Sequence, residues 1–310
     1  MLIHQKLAKK INFMQVNFKV IDTNEFVKKV QQDDNAVIIV TCSYFISIIN
    51  FLDLQPQLNN MECFILPLIF IENPVNTSVI SQDKATQKIP KIIHYCCFGD
   101  NKLPEKNKKC IVSWKEKCPD YKIQLWNESN IDFGISPWVK KYADLKKWAF
   151  VSDYIRAYVL YKYGGLYFDT DVEILRGFDD LLQFEAFGGY EKWPVLNTGG
   201  GCGSVSGFWL WKEIMKLKDE TIFDNDYVVP QASGYYDTIP LVKKGLRVDG
   251  TLQNVDGFTI FPYDFFHPFD YISLNKSYTN NTHSIHYFNW SWADTMWNIT
   301  GIGSKLWNIW

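Results

Sequence analysis

The feature that most constrains this chain is a repeated switch between strand and helix periods. In the first 73 residues, the extended runs "NFKVID", "NAVIIVTC" and "ECFILPLIFIE" alternate with the helical patterns "NEFVKKVQQ" and "SYFISIINFLDL". That order predicts a small β-α-β-α-β unit with parallel pairing. It carries neither a G-x-G-x-x-G nor a P-loop, so no ligand is assigned to it. Residues 74–88 are polar, include Pro74 and show no period, which reads as a linker. A second strand-first pattern starts at "IPKIIHYCCFG" and runs through a helix around "KKCIVSWKEKC", a strand "YKIQLWN" and the long helix "LKKWAFVSDYIRAYVLYKY". The fold class is therefore α/β, in a chain of 310 residues that can hold one large domain or two modest ones. Residues 89–310 form the larger part, where "SGFWLWKEIMKLK" is the one further helix predicted.

The long helix stops at Gly164-Gly165, and the strand "LYFDTDVEIL" follows. Two glycines suit a left-handed cap and a tight entry into the strand. In a strand, residues i and i+2 share a side, so Asp169 and Asp171 are expected to face together. Two adjacent carboxylates repel, and either a raised pKa or a cation must compensate. Hard divalent ions such as Mn²⁺ or Mg²⁺ take oxygen ligands of this kind. A second D-x-D, Asp224 to Asp226, has no strand before it and reads as a solvated loop. On the preceding helix Asp153 and Arg156 share a face, with Val151, Tyr154, Ile155, Tyr158 and Val159 as the buried stripe. Spacing alone makes Asp153 and Arg156 an ordinary ion pair.

Composition narrows the function classes. A formal charge of -2 offers no broad basic field, so nucleic acid is not an expected partner. Seven cysteines without a C-x-x-C pair fit a reducing, cytoplasmic setting. The first residues lack an uninterrupted apolar core of a signal peptide, and no run is long enough to span a bilayer. Aromatic residues make up 16% of the chain, with 12 Trp. They suit sugar rings, although an aromatic core is the commoner use.

The segments "IPKIIHYCCFG", "SWKEKCPDYKIQLWNE", "AFVSDYIRAYVLYKYGGLYFDTDVEIL" and "IHYFNWSW" together resemble the sugar transferases of glycosyltransferase family 32 over residues 89–292. The resemblance implies a GT-A, Rossmann-like transferase domain with a C-terminal lid. It also implies a nucleotide-sugar donor, UDP-linked rather than GDP-linked, and a bridging Mn²⁺ or Mg²⁺. Asp171 then corresponds to the direct metal ligand, Asp169 to its partner, and His286 to a residue completing the metal shell. Asp153 and Arg156 correspond to the positions that hold the donor sugar, which reverses the ion-pair reading. Tyr95, Cys97, Tyr167 and Asn197 fall at nucleotide, donor or acceptor positions, while Ser291 and Trp292 belong to the lid over the diphosphate. His283 is expected on the surface. Two departures stand out: Cys97 occupies the position of a base-stacking Trp, and "SGY" at Ser233 to Tyr235 replaces a common "TGP".

The resemblance further implies a retaining transfer to a glycan or lipid-linked oligosaccharide acceptor in bacterial surface polysaccharide synthesis. Such work would place the protein in the cytoplasm, in peripheral contact with the inner face of the membrane. Two other readings are open from the residues: a sugar-nucleotide-binding protein with a decayed site, and a phosphatase of the haloacid-dehalogenase type. For the latter, Glu173 stands where Thr or Val is required.

Overall fold

The computed structural model describes residues 23–30, 32, 36–40, 51–52, 54–58, 61–65, 86–99, 103–192, 195–223, 233–270 and 275–288. The chain divides into two compact units, Met1–Pro74 and Val75–Trp310. In the first, helix Thr23–Val30 precedes strands Ile38–Val40 and Cys63–Ile65, which pair in parallel with Ile38 opposite Cys63. Residues 51–52 are helical, while the strand expected at "NFKVID" and most of the helix at "SYFISIINFLDL" lie outside the described residues. Of the expected linker, residues 86–88 are described, and the Lys88 N–H donates to the Leu182 carbonyl at 2.8 Å.

In the second unit the strands are β1 (Ile92–Cys96), β2 (Lys122–Trp126), β3 (Gly165–Tyr167), β4 (Val172–Ile174), β5 (Ala186–Tyr190), β6 (Leu196–Asn197), β7 (Cys202–Ser204), β8 (Gln253–Val255), β9 (Phe258–Phe261) and β10 (Ser284–His286). The helices are α1 (Glu105–Lys117), α2 (Pro137–Asp144), α3 (Trp148–Tyr163), α4 (Trp209–Phe223) and α5 (Ser233–Lys243). The main sheet runs β8-β9-β5-β7-β3-β1-β2, with β6 added beside β5. Pairing is parallel at β1–β2, β1–β3 and β5–β9, and antiparallel elsewhere, so the α/β sheet is mixed. β4 leaves it to pair with β10 in a separate two-stranded ribbon.

Neighbouring strand residues enter different cores. Tyr167 and Ala186 join Trp138, Ile155, Leu160 and Trp211 of α2, α3 and α4 in one apolar cluster. Leu166 and Phe187 join Trp114 of α1, Phe178 and Phe266 in the other. Alternation along each strand assigns these clusters to opposite faces of the sheet. Trp114, Trp138 and Trp211 are fully buried, so much of the aromatic excess is core. Each such side chain contributes roughly 1.5–3 kcal/mol or more through burial.

α3 is buried beyond the single stripe expected from sequence. Phe150, Arg156, Ala157 and Leu160 are inside along with Val151, Tyr154, Ile155 and Val159, because α3 packs on the sheet and on α2 and α4 together. It begins three residues later than the pattern suggests, after Lys146 turns to positive φ of 54°. At its end Gly164 adopts φ 65°, ψ -166°, and Gly165 has φ 100°. The first of these is the extended mirror region open to glycine alone, rather than the left-handed helical cap anticipated. Space demands glycine as well: a Cβ on Gly164 would meet the Ser206 nitrogen at 2.7 Å, and one on Gly165 the Ile92 carbonyl at 2.7 Å.

His94 locks β1 to this junction. Its Nε2 lies 2.9 Å from the Gly164 carbonyl, and the Trp126 indole N–H reaches its Nδ1 at 3.1 Å. A neutral ring satisfies both, donating from Nε2 and accepting at Nδ1. Burial, with Lys122 adding to it against the Gly164 carbonyl, lowers the pKa to about 4 from 6.5. The folded state therefore resists a proton that the unfolded chain accepts. Stability from His94 is complete above about pH 6.5 and drains away as the pH falls from 6.5 toward 4, by about 3 kcal/mol. His94→Gln should flatten the urea-unfolding free energy across that window by this amount. An unchanged slope would contradict the assignment.

Candidate active site

Strand geometry does not bring Asp169 and Asp171 together, contrary to expectation. β3 ends at Tyr167, and Asp169 to Asp171 form a turn before β4, closed by Val172 N–H donating to the Asp169 carbonyl at 3.1 Å. The chain must turn there because Phe168 N–H still bonds the His94 carbonyl of the main sheet, whereas Val172 already pairs with His286 of β10. α1 braces the turn. Asn107 Nδ2 donates to Thr170 Oγ1 at 2.8 Å, the Trp114 indole to the Val172 carbonyl at 2.7 Å, and the Ile174 N–H to Ser113 Oγ at 2.9 Å.

The β4–β10 ribbon delivers His286 to the two aspartates. Its Nε2 lies 3.3 Å from Asp171 Oδ1 and 4.0 Å from Asp169 Oδ2. Burial opposes a charged ring, but Asp171, Asp169 and Glu191 outweigh it and hold His286 above the ordinary histidine range. One ligand atom from each of Asp169, Asp171 and His286 falls within 4.8 Å of the other two. Two carboxylates and an imidazole form a donor set that suits a divalent cation such as Mn²⁺ or Mg²⁺. His286 Nδ1 is buried with no hydrogen-bond partner among the described residues, so it does not compete for the ring's orientation.

Arg156 on α3 is only 3% exposed and lies at the centre of an acidic ring. Its Nη2 bonds Asp153 Oδ1 at 3.0 Å and both Asp169 oxygens at 3.1 and 3.2 Å, while Nη1 donates to Thr198 Oγ1 at 2.9 Å and lies 3.9 Å from Asp237 Oδ2. The i,i+3 ion pair exists, but it is one arm of a buried junction. The guanidinium also lies 4.9 Å over the Tyr167 ring, which is fully buried beneath it and has no free face for a base. Burial works against the guanidinium's charge, and Asp169 and Asp153 more than offset it, raising its pKa. Asp237 is pushed up by burial, against the pull of Arg156 and Lys218. Lys218, buried between the rings of Tyr236 and Trp138 at 4.2 and 4.8 Å, has a lowered pKa for the same reason.

Opposite the D-T-D turn runs the loop Gly199 to Gly201. The Asp169 N–H donates to the Gly199 carbonyl at 2.8 Å, and a methyl built on Gly199 would collide with the Asp169 carboxylate. One on Gly200 would strike the buried His267. Asn197 sits at the base of this loop, its amide bonded to Glu191 and to Gly199.

The structure thus gathers Asp153, Arg156, Asp169, Asp171, Asn197 and His286. Tyr95 is half-buried, edge-on to Trp114 at 5.4 Å, and Cys97 donates its N–H to the Trp126 carbonyl at 2.9 Å, with a thiol where a stacking ring was expected. Ser291 and Trp292, together with Asp224 to Asp226, lie outside the described residues. His283 is a correction. It is fully buried, with Nε2 3.0 Å from Asp180 Oδ1, because β10 runs its flanking residues into the Phe178–Phe266 core. Sequence reasoning missed Thr198, Asp237, Glu191 and Asn107. The glycine run after Asn197 was the one local signal near them. No helix among the described residues is long and apolar enough to cross a membrane.

Residues 104–188 match the family described as glycosyltransferase sugar-binding region containing DXD motif. Inositol phosphoceramide mannosyltransferase 3 of Schizosaccharomyces pombe is 34% identical over 128 residues, which cover 39% of this chain and 34% of that protein. Mannosyl phosphorylinositol ceramide synthase SUR1 of Saccharomyces cerevisiae is 33% identical over 141 residues, covering 40% and 35%. The chain spans about a third of the length of these curated relatives. Among solved structures, PaToxG glycosyltransferase is similar at 20% identity with a TM-score of 0.44, over 51% of this chain and 69% of its own. A glycosyltransferase involved in glycosylation of the major capsid of PBCV-1 is similar at 12% identity with a TM-score of 0.39, over 66% and 96%.

Proposed function

We propose that this chain, which carries the DXD-containing sugar-binding region of glycosyltransferases over residues 104–188, transfers a hexosyl group from a nucleotide-sugar with the help of a divalent cation. The observation that carries the reading is the convergence of Asp169, Asp171 and His286 beside the Arg156 junction, at the point where the chain leaves the sheet. Asp171 and His286 would hold Mn²⁺ or Mg²⁺, with Asp169 shared between the ion and Arg156. The chemistry such a cation would supply there is neutralisation of charge on a leaving nucleoside diphosphate, the main electrostatic demand of glycosyl transfer.

The remaining work falls to the chain. Arg156, consumed by Asp153, Asp169 and Thr198, fixes those carboxylates instead of reaching outward itself. Asp153 is then held in position to accept hydrogen bonds from sugar hydroxyls. No carboxylate stands out as a covalent nucleophile, which favours same-face attack with the leaving phosphate oxygen taking the acceptor's proton.

The names of the yeast relatives favour a mannosyl donor and an inositol-phosphoceramide-like lipid acceptor over the UDP-sugar and bacterial polysaccharide suggested by sequence. A panel of UDP- and GDP-hexoses with Mn²⁺, scored for nucleotide release with and without EDTA, tests metal, base and sugar together. Release from one donor that stops with EDTA is expected. Binding of every donor with release from none, or release indifferent to EDTA, would overturn the reading.

A further inference from the structure

Asn197 falls at a position expected to touch donor or acceptor, yet both ends of its amide are used inside the protein. Its Nδ2 donates to Glu191 Oε1 at 2.5 Å, and its Oδ1 accepts the Gly199 N–H at 2.7 Å. Gly199 in turn accepts the Asp169 N–H at its carbonyl at 2.8 Å, in contact too close for any side chain. Glu191, at the end of β5, therefore connects through two hydrogen-bonded residues to the backbone of the D-T-D turn.

An Asn amide is nearly symmetric in shape, so its orientation is decided by its partners. A carboxylate accepts and does not donate, which obliges Asn197 to turn its NH₂ toward Glu191 and its oxygen toward Gly199. Without Glu191 the amide loses one of the two partners that fix this sense. The Gly199 N–H still calls for the amide oxygen, but the side chain is then held at one end only and its NH₂ is left without that acceptor. Outer groups that orient metal ligands commonly change metal affinity by 10- to 100-fold when removed.

We infer that Glu191 is a positioning residue, which through Asn197 and Gly199 sets the Asp169 backbone and so the geometry of the cation site. This rests on the proposed cation site. It assigns Asn197 to the support of the turn and gives Glu191, whose charge also acts on His286, a positioning task that a neutral hydrogen-bond acceptor can perform.

Mn²⁺ titration of the whole chain, followed by electron paramagnetic resonance of the free ion, tests it. Glu191→Ala is expected to weaken Mn²⁺ binding about tenfold. Glu191→Gln, whose amide oxygen can still accept from Asn197, should stay within about threefold of the unaltered chain. Asn197→Ala should match Glu191→Ala, and the double variant should bind no more weakly than either, as members of one chain are non-additive. Should Glu191→Ala not fold, the Asn197→Ala and Glu191→Gln pair carries the same expectation. Wild-type affinity in Asn197→Ala, or an affinity in Glu191→Gln as low as in Glu191→Ala, would overturn the inference. Failure of the unaltered chain to bind Mn²⁺ would instead overturn the cation site itself.

Discussion

Asp171→Ala is expected to cut metal-dependent nucleotide release by on the order of 10²–10³-fold while leaving the fold intact. The size follows from the proposed role, in which Asp171 would help to hold the charge that stabilises the leaving diphosphate. The intact fold follows from what surrounds Asp171. Its carboxylate meets His286 at 3.3 Å and stands beside Asp169, so alanine removes one like-charge neighbour along with one partner. The turn remains tied by Asn107 on the Thr170 hydroxyl, by Trp114 on the Val172 carbonyl and by the Tyr287 N–H on the Asp171 carbonyl. A urea midpoint close to the unaltered value, measured beside the lost release, is the expected pair of results. Full activity in the variant would remove Asp171 from the reaction.

Arg156→Ala should fail in the opposite way. It leaves Asp153, Asp169 and Asp237 facing one another with their shared cation gone, and Thr198 without its donor. Removing one partner of a buried charge cluster costs up to about 3–5 kcal/mol, here because Asp237 stays buried and Asp153 and Asp169 are only partly open to solvent. Arg156→Lys should not restore it, since a single ammonium cannot span Thr198 on one side and two carboxylates on the other. Urea unfolding of the two variants at pH 7 gives the measurement. A loss below about 1 kcal/mol in Arg156→Ala would show that the junction is not structural. It would return Arg156 to a purely ligand-facing role.

The contrast between these variants depends on a distinction that spacing could not make. Asp153 and Arg156, three apart on a helix, look the same whether they form a solvated pair or the hub of a buried cluster. What separates the two cases is Asp237 and Thr198, which arrive from α5 and the β6–β7 loop, 81 and 42 positions away. Glu191 and its link through Asn197 were hidden for the same reason. A side-chain hydrogen bond across the short turn between β5 and β6 has no periodic trace.

By itself the sequence determined the fold class and pointed to the candidate site. Strand and helix periods specified an α/β chain, the Gly164-Gly165 pair marked the end of the long helix, and the D-x-D spacing singled out Asp169 and Asp171, with His286 added by the resemblance to a transferase family. Local period and ligand chemistry are properties of short stretches, so they can be read from them. Only the tertiary structure decided how the set converges. The aspartates meet in a turn because β3 belongs to one sheet and β4 to another, and His286 reaches them because β10 pairs with β4 across more than 100 residues. It also decided that Tyr167 lies buried beneath Arg156 and that His283 is core, since burial is set by what packs on a residue from elsewhere in the chain.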